Sequence, residues 1–166
     1  MKNIYLIGFM GAGKTSVARA LSAASGMDMI EMDQRIEQEA GMPITEIFAK
    51  YGEEYFRDLE TELVRTLAGE SELVVSCGGG SVLREENAAR MKESGHIVLL
   101  TASPETIFER VRYSTNRPVL NGNMNIDYIR GLMEKRRERY ETVADLMVPT
   151  DGRPVRIIAA DILAQV

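Results

Sequence analysis

Near the amino end, Gly8-Phe9-Met10-Gly11-Ala12-Gly13-Lys14-Thr15 matches the pattern G-x-x-x-x-G-K-[ST]. A loop of this kind wraps its backbone N–H groups around a polyphosphate. Glycines at 8, 11 and 13 allow dihedrals and a close approach that a β-carbon would block. The start of the following helix adds partial positive charge. Lys14 is then placed to reach the outer phosphates, and the Thr15 hydroxyl to meet Mg²⁺. An apolar strand pattern precedes the loop and a helical pattern follows it, so the chain is expected to bind ATP or GTP.

Many nucleotide-cleaving proteins place an Asp at the end of a later hydrophobic strand to help hold Mg²⁺. Here Leu73-Val74-Val75 runs instead into Ser76-Cys77 and Gly78-Gly79-Gly80. Acids stand at the end of an earlier apolar stretch. Read as a strand, Met29–Met32 puts Met29, Glu31 and Asp33 on one side and Ile30 and Met32 on the other. The carboxyl ends of parallel strands border the ligand crevice, so Glu31 and Asp33 would face the same opening as the phosphate loop. The alternative is a solvated strand end, or a helix cap at Asp33.

Arg136 falls on an apolar helical stripe with Ile126, Ile129, Met133, Tyr140 and Val143. A guanidinium there is costly unless paired. It has an internal acidic partner or borders a cavity where an anionic ligand supplies one, and the cavity is favoured. Arg137 and Arg139 fall off the stripe, toward solvent. Arg57 and Glu60 are three apart on a helix carrying Phe56, Leu59, Leu63 and Leu67, close enough for the acid to orient the guanidinium, although such a pair is usually at the surface. Gly78-Gly79-Gly80 either lets a ligand lie on backbone amides or forms a flexible loop.

The elements that would position these groups read as βαβ units around a parallel sheet. Strands are expected at Ile4–Ile7, Met29–Met32, Leu73–Ser76, Ile97–Leu100 and Leu146–Val148. Helices are expected near Thr15–Ala24, Ile44–Tyr51, Glu53–Leu67, Glu85–Glu93, Pro104–Arg112, Ile126–Val143 and Val155–Leu163, with Ser103-Pro104 and Pro154 as starts. Tyr113–Asn125 lacks either period and carries Asn116, Arg117, Pro118, Asn121, Gly122 and Asn123, which makes it a candidate mobile loop.

At 166 residues and with 45% apolar and 27% charged residues, one ordinary globular domain is expected. The net charge of −5 lacks the electrostatic footprint of a nucleic-acid binder, so any anion must be held locally. Fifteen Arg against five Lys favour two-pronged recognition of carboxylate or phosphate if they face a pocket, or reflect genomic composition. The single cysteine, Cys77, forbids an internal disulfide and suits a reducing cytosol. The opening apolar stretch is too short to span a bilayer and runs straight into the phosphate loop, so neither signal peptide nor membrane span is expected.

As a set, these residues resemble the shikimate kinase family over nearly the whole chain. The resemblance is carried by Gly8 to Thr15, Asp33 with Ile36-Glu37, Ile44 to Phe48 leading into Gly52-Glu53, and Phe56-Arg57 with Glu60. It continues through Gly78-Gly79-Gly80, Arg117-Pro118, and Arg136 with Tyr140. It implies a three-layer α/β/α P-loop kinase fold, one domain over residues 1–166 with a five-stranded parallel sheet and a lid at about 113–125. The implied activity is transfer of the ATP γ-phosphoryl group to the 3-hydroxyl of shikimate, with Mg²⁺, in the cytoplasmic route to chorismate and the aromatic amino acids.

The resemblance also implies site roles. Gly11, Ala12, Gly13, Lys14, Thr15 and Ser16 would hold the nucleotide, Thr15 the metal, and Arg110 and Arg153 would flank adenine. Asp33 would contact substrate hydroxyls as the candidate base, Arg57 and Arg136 would clamp the carboxylate, and Glu60 would orient Arg57. Gly79 and Gly80 would add backbone contacts, and Arg117 would reach the phosphates from the lid, making Asp33, Lys14 and Arg117 the catalytic set. Shikimate and ATP are the expected partners, without nucleic acid or membrane, and a monomer is expected. Three positions depart from the family pattern: Glu31 stands where an Asp is usual, Ser76-Cys77 replaces a Thr, and the lid reads Arg-Pro-Val-Leu. A gluconate kinase, or a non-catalytic nucleotide-binding module, is the competing reading. The paired Arg57 and Arg136 argue against the first, and Asp33 with Arg117 against the second.

Overall fold

A computed structural model describes residues 1–113, 120 and 122–166. Strands β1 (Asn3–Ile7), β2 (Asp28–Glu31), β3 (Leu73–Ser76), β4 (Gly95–Thr101) and β5 (Leu146–Pro149) form one parallel sheet in the order β2-β3-β1-β4-β5. The helices among the described residues are α1 (Lys14–Ser25), α2 (Met32–Ala40), α3 (Ile44–Ala68), α4 (Glu85–Ser94), α5 (Pro104–Val111), α6 (Ile126–Val143) and α7 (Val155–Leu163). This is the five-stranded parallel α/β architecture expected from the sequence.

The central strands read as unbroken apolar runs because both faces of the sheet are covered. Ile4, Leu6, Val74, Val75, Val98 and Leu100 are all buried. On one face, Asn3 of β1 donates to the carbonyl of Leu67 in α3 at 3.2 Å, and the Tyr5 hydroxyl meets Ser94 of α4 at 2.6 Å. The connection through α1 crosses the sheet in the opposite direction, so the right-handed crossover rule puts α1 on the other face, where it packs against α7.

Register sets the level of the site. Glu31 pairs with Ser76, and Ser76 with Leu6, so β2, β3 and β1 end side by side. The loop from Gly8 and the loop from Cys77 therefore leave the sheet at one edge.

Two sequence expectations change. Strand β2 ends at Glu31, and Met32, expected as its last residue, opens α2 with its side chain fully buried. Asp33 thus stands in the first turn of a helix, where its charge suits the helix dipole, and the strand alternation does not place it. Helix α2 itself is not marked by the sequence pattern, since only Met32 and Ile36 are buried along it. The split expected between Ile44–Tyr51 and Glu53–Leu67 is present as a break inside α3 at Gly52, whose φ of 86° and ψ of 172° leave the helical region. Of the expected lid, residues 114–119 and 121 lie outside the described residues, Arg117 among them.

Candidate functional site

The phosphate loop is a chain of backbone turns that need glycine. Gly8, Gly11 and Gly13 have φ of 147°, 82° and 95°. A Cβ on Gly8 would also lie 2.5 Å from the carbonyl oxygen of Leu100, a backbone atom of β4 that cannot move aside. Gly8→Ala therefore combines dihedral strain of about 1–3 kcal/mol with overpacking of similar size. It is expected to lower the melting temperature by roughly 5–15 °C. Gly26→Ala, at a position with φ of 79° and nothing within 4 Å of the added carbon, should lower it far less in the same thermal scan.

Side chains then fasten the loop. Lys14 donates through Nζ to the carbonyls of Gly8 (2.6 Å) and Phe9 (3.1 Å). Arg110 donates through Nη1 to the Gly11 carbonyl at 2.9 Å. From the far end of the chain, the one hydroxyl hydrogen of buried Thr150 is shared between the carbonyls of Ala12 (3.2 Å) and Thr101 (2.9 Å). Thr15 donates through Oγ1 to Glu31 Oε2 at 2.7 Å and lies 3.5 Å from Ser76 Oγ.

A cleft of about 590 Å³ opens beside the loop. Gly11, Gly13, Lys14, Thr15, Ser16 and Arg110 line one end, and Asp33, Arg57, Glu60, Gly79, Gly80 and Arg136 line the rest, with Glu31 beside Thr15. Ala12, expected at the nucleotide, is buried and not among the lining residues, with its N–H bonded to the Phe9 carbonyl at 3.1 Å. Arg153 is not among the lining residues: it pairs with Asp161 of α7 and donates to the Pro149 carbonyl at 3.0 Å. Arg139, expected toward solvent, is half-buried, bonding the Val82 carbonyl at 2.7 Å and Glu85 at 3.0 Å.

Both puzzling arginines face the cleft. Arg57 is buried, so the pair with Glu60 (Nη1 to Oε1, 2.7 Å) is internal where the spacing suggested a surface contact. Burial alone would lower the Arg57 pKa, but Glu60 and Glu53 hold it above its usual value. Burial pushes Glu60 up to about 7, against the pull of Arg57. Arg136 is buried as well, with its guanidinium 5.8 Å from the centre of the Phe9 ring and Nη1 without a hydrogen-bond partner among the described residues. The next turn of α6 supplies Tyr140, whose hydroxyl donates to the Gly79 carbonyl. Cys77 is buried, with its thiol pushed up to about 12 by desolvation, so it offers no thiolate nucleophile.

The three glycines after β3 make room for charge. A Cβ on Gly78 would meet Glu60 Oε2 at 2.7 Å and Asp33 Oδ1 at 2.8 Å, and one on Gly80 would lie 2.7 Å from Arg57 Nη2. The chain's own side chains thus occupy space that the sequence pattern suggested for a ligand alone. Two features carried no role in the sequence reading. Phe48 and Phe56, with ring centres 5.1 Å apart, wall the cleft, and Thr150 braces the loop. The aromatic pair flanks Gly52 in sequence, which is a readable signal; Thr150 has none.

A family model described as shikimate kinase matches residues 10–166. The chain belongs to the shikimate kinase family. The shikimate kinase of Thermodesulfovibrio yellowstonii is 43% identical over 99% of this chain and 95% of its own length. A structure of the Acinetobacter baumannii shikimate kinase in complex with shikimate aligns with a TM-score of 0.94 at 35% identity, over 98% of this chain and 91% of that one. A gluconokinase from Sinorhizobium meliloti aligns with a TM-score of 0.59 at 21% identity, over 98% and 90%, a likeness of fold alone. The enzyme class expected from the sequence, a shikimate kinase, stands with this membership. No helix among the described residues is long and apolar enough to cross a membrane.

Proposed function

We propose that the cleft binds ATP on the Gly8–Thr15 loop and shikimate between Arg57 and Arg136, and moves the γ-phosphoryl group onto the 3-hydroxyl. One observation carries the reading: two buried guanidinium groups, Arg57 flanked by Glu60 and Glu53 and Arg136 with an Nη1 that has no hydrogen-bond partner among the described residues, face a cleft that a phosphate loop also lines. Buried donors of that kind call for an anion. Their planar forks suit a carboxylate, and the loop amides suit phosphates.

Phosphoryl transfer asks mainly for positioning and for positive charge on the transferred oxygens. Lys14 supplies charge at the phosphates, and Asp33 orients the attacking hydroxyl and accepts its proton. Arg117, outside the described residues, is assigned by its place in the sequence to the phosphates, while Gly79 and Gly80 offer backbone to the acceptor. Arg110 lies beside the nucleotide end of the cleft. Arg153, engaged with Asp161, would have to leave that pair to reach a base. Thr15 and the carboxylate beside it form an all-oxygen donor set, which fits Mg²⁺. Held there, Mg²⁺ would supply positive charge to the phosphates. A monomer in the cytoplasm, without nucleic-acid or membrane partners, completes the reading, the lack of a nucleic-acid partner supported by the net charge of −5.

An ADP-release assay against shikimate, quinate, gluconate and no acceptor tests it. Turnover with shikimate alone, or far above the others, is expected; equal turnover with gluconate, or none with shikimate while ATP binds, overturns it. Arg57→Ala and Arg136→Ala should each weaken shikimate binding roughly ten- to a hundredfold, because a charge-assisted bond contributes about 1.5–3 kcal/mol. Calorimetry should find ATP affinity nearly unchanged in both. Arg117→Ala should lose kcat more than shikimate affinity, since charge on the transferred oxygens matters most in the transition state. Steady-state kinetics with a normal kcat would remove that role.

A further inference from the structure

Glu60 has a feature that holding Arg57 does not require. Its Oε1 takes the Arg57 hydrogen bond, but Oε2 is sealed from solvent and has no partner among the described residues. Oε2 and Asp33 Oδ1 lie 2.7 and 2.8 Å from the one point that a Gly78 Cβ would occupy, so two carboxyl groups face each other across a residue with no side chain. A carboxylate oxygen with nothing to accept is the costly form of a buried acid, whereas a protonated oxygen there can donate toward its neighbour. The same guanidinium that steadies Glu60 is the one placed to receive the acceptor's carboxylate.

We propose that Glu60 is a positioning residue that releases Arg57 to the acceptor: when a carboxylate docks between Arg57 and Arg136, Glu60 takes up one proton from solvent, and the guanidinium's charge passes to the ligand. The inference rests on the reading of the cleft given above. Charge counting supports it. Around Glu60 stand Arg57 and the exposed Glu53 from its own helix, Asp33 from α2, Arg136 and the Tyr140 hydroxyl from α6, Lys14 from α1, and Arg84 and the Cys77 thiol from the segments flanking the glycines. A docked carboxylate would add a third anion beside Glu60 and Asp33, with Arg57 and Arg136 the guanidinium groups nearest to share. Like charges in a dry site raise each other's affinity for protons, and the group already poised near neutrality yields first. The protein gains H⁺ on the Glu60 carboxylate, the solvent loses it, and no other bond changes.

Titration calorimetry of shikimate into the intact chain, in buffers of different ionisation enthalpy, reads the proton directly. Uptake should rise from near zero at about pH 6 toward one per shikimate at about pH 8, and affinity should weaken by up to tenfold per pH unit over the upper part of that range. Glu60→Gln should bind without uptake and with a flat pH profile, whereas Asp33→Asn should keep the uptake. If Glu60→Gln does not fold, the carboxyl ¹³C shift of Glu60 in the wild-type chain replaces it, and should move toward the protonated value on adding shikimate at about pH 8. Binding without uptake, uptake that survives in Glu60→Gln, or an unmoved ¹³C shift overturns the proposal. Absence of shikimate binding where ATP still binds overturns the cleft reading itself.

Discussion

Asp33→Asn should bind ATP as the wild type does and lose turnover by about 10²–10⁴-fold, the range over which a positioned proton acceptor contributes. The substitution keeps shape and size, so α2 should fold unchanged and the phosphate loop, held by Lys14, Arg110 and Thr150, is untouched. What disappears is the negative charge in the first turn of α2 to which the orientation of the attacking hydroxyl is assigned in the proposal. A loose transition state demands little basicity but strict alignment, so most of the loss should be in kcat with little change in KM for ATP. Single-turnover kinetics with saturating substrates checks this. A kcat near that of the wild type would move the proton-accepting role to another group.

Gly80→Ala should weaken shikimate binding about as much as removing Arg57 outright, although it adds only a methyl group to a loop. The added carbon would sit 2.6 Å from Arg57 Cζ and 2.7 Å from Nη2. The end of an arginine can swing away, so the fold survives, but swinging away abandons Glu60. Taking one partner from a buried ion pair costs about 3–5 kcal/mol because a charge is left uncompensated. The expected result is a roughly ten- to hundredfold loss of shikimate affinity, as for Arg57→Ala, with ATP affinity intact, and the ion-pair cost appears in the stability of the fold. It should be accompanied by a lower melting temperature that recovers on acidification, as Glu60 is neutralised. The sign follows from its raised pKa of about 7: the protonated form is favoured in the folded chain, so this group's contribution is present at low pH and lost as pH rises through about 7. Unchanged shikimate affinity in Gly80→Ala would mean that Arg57 has room the geometry denies it.

The strands and most helices were legible because each leaves a periodic trace. Buried parallel strands read as unbroken apolar runs, and Gly52 marks a helix break by its lack of a side chain. Helix α2 left no such trace, being polar on all but two buried positions, and Asp33 reaches the cleft from a helix, where alternation along a strand does not apply. The site was legible where a motif fixes backbone shape and illegible where only tertiary packing decides. Arg57 with Glu60 looks in sequence like any surface pair, and its burial depends on Gly78 and Gly80 some twenty residues away. Arg139, off the apolar stripe, is drawn inward by a carbonyl of the loop before α4, which no helical wheel contains.

The hydroxyl of Thr150 joins the carbonyl of Ala12, 138 positions earlier, to that of Thr101. The phosphate loop that follows β1 is therefore braced from the residue just after β5. A nascent chain paused anywhere before β5 has the glycines and the lysine but not the brace, so grip on ATP should mature only once β5 and Thr150 have been made. Contacts of such long sequence separation form late in folding. Occupancy by nucleotide would then report on completion of the whole sheet, and a bound ATP would stabilise the chain end to end rather than at the loop alone.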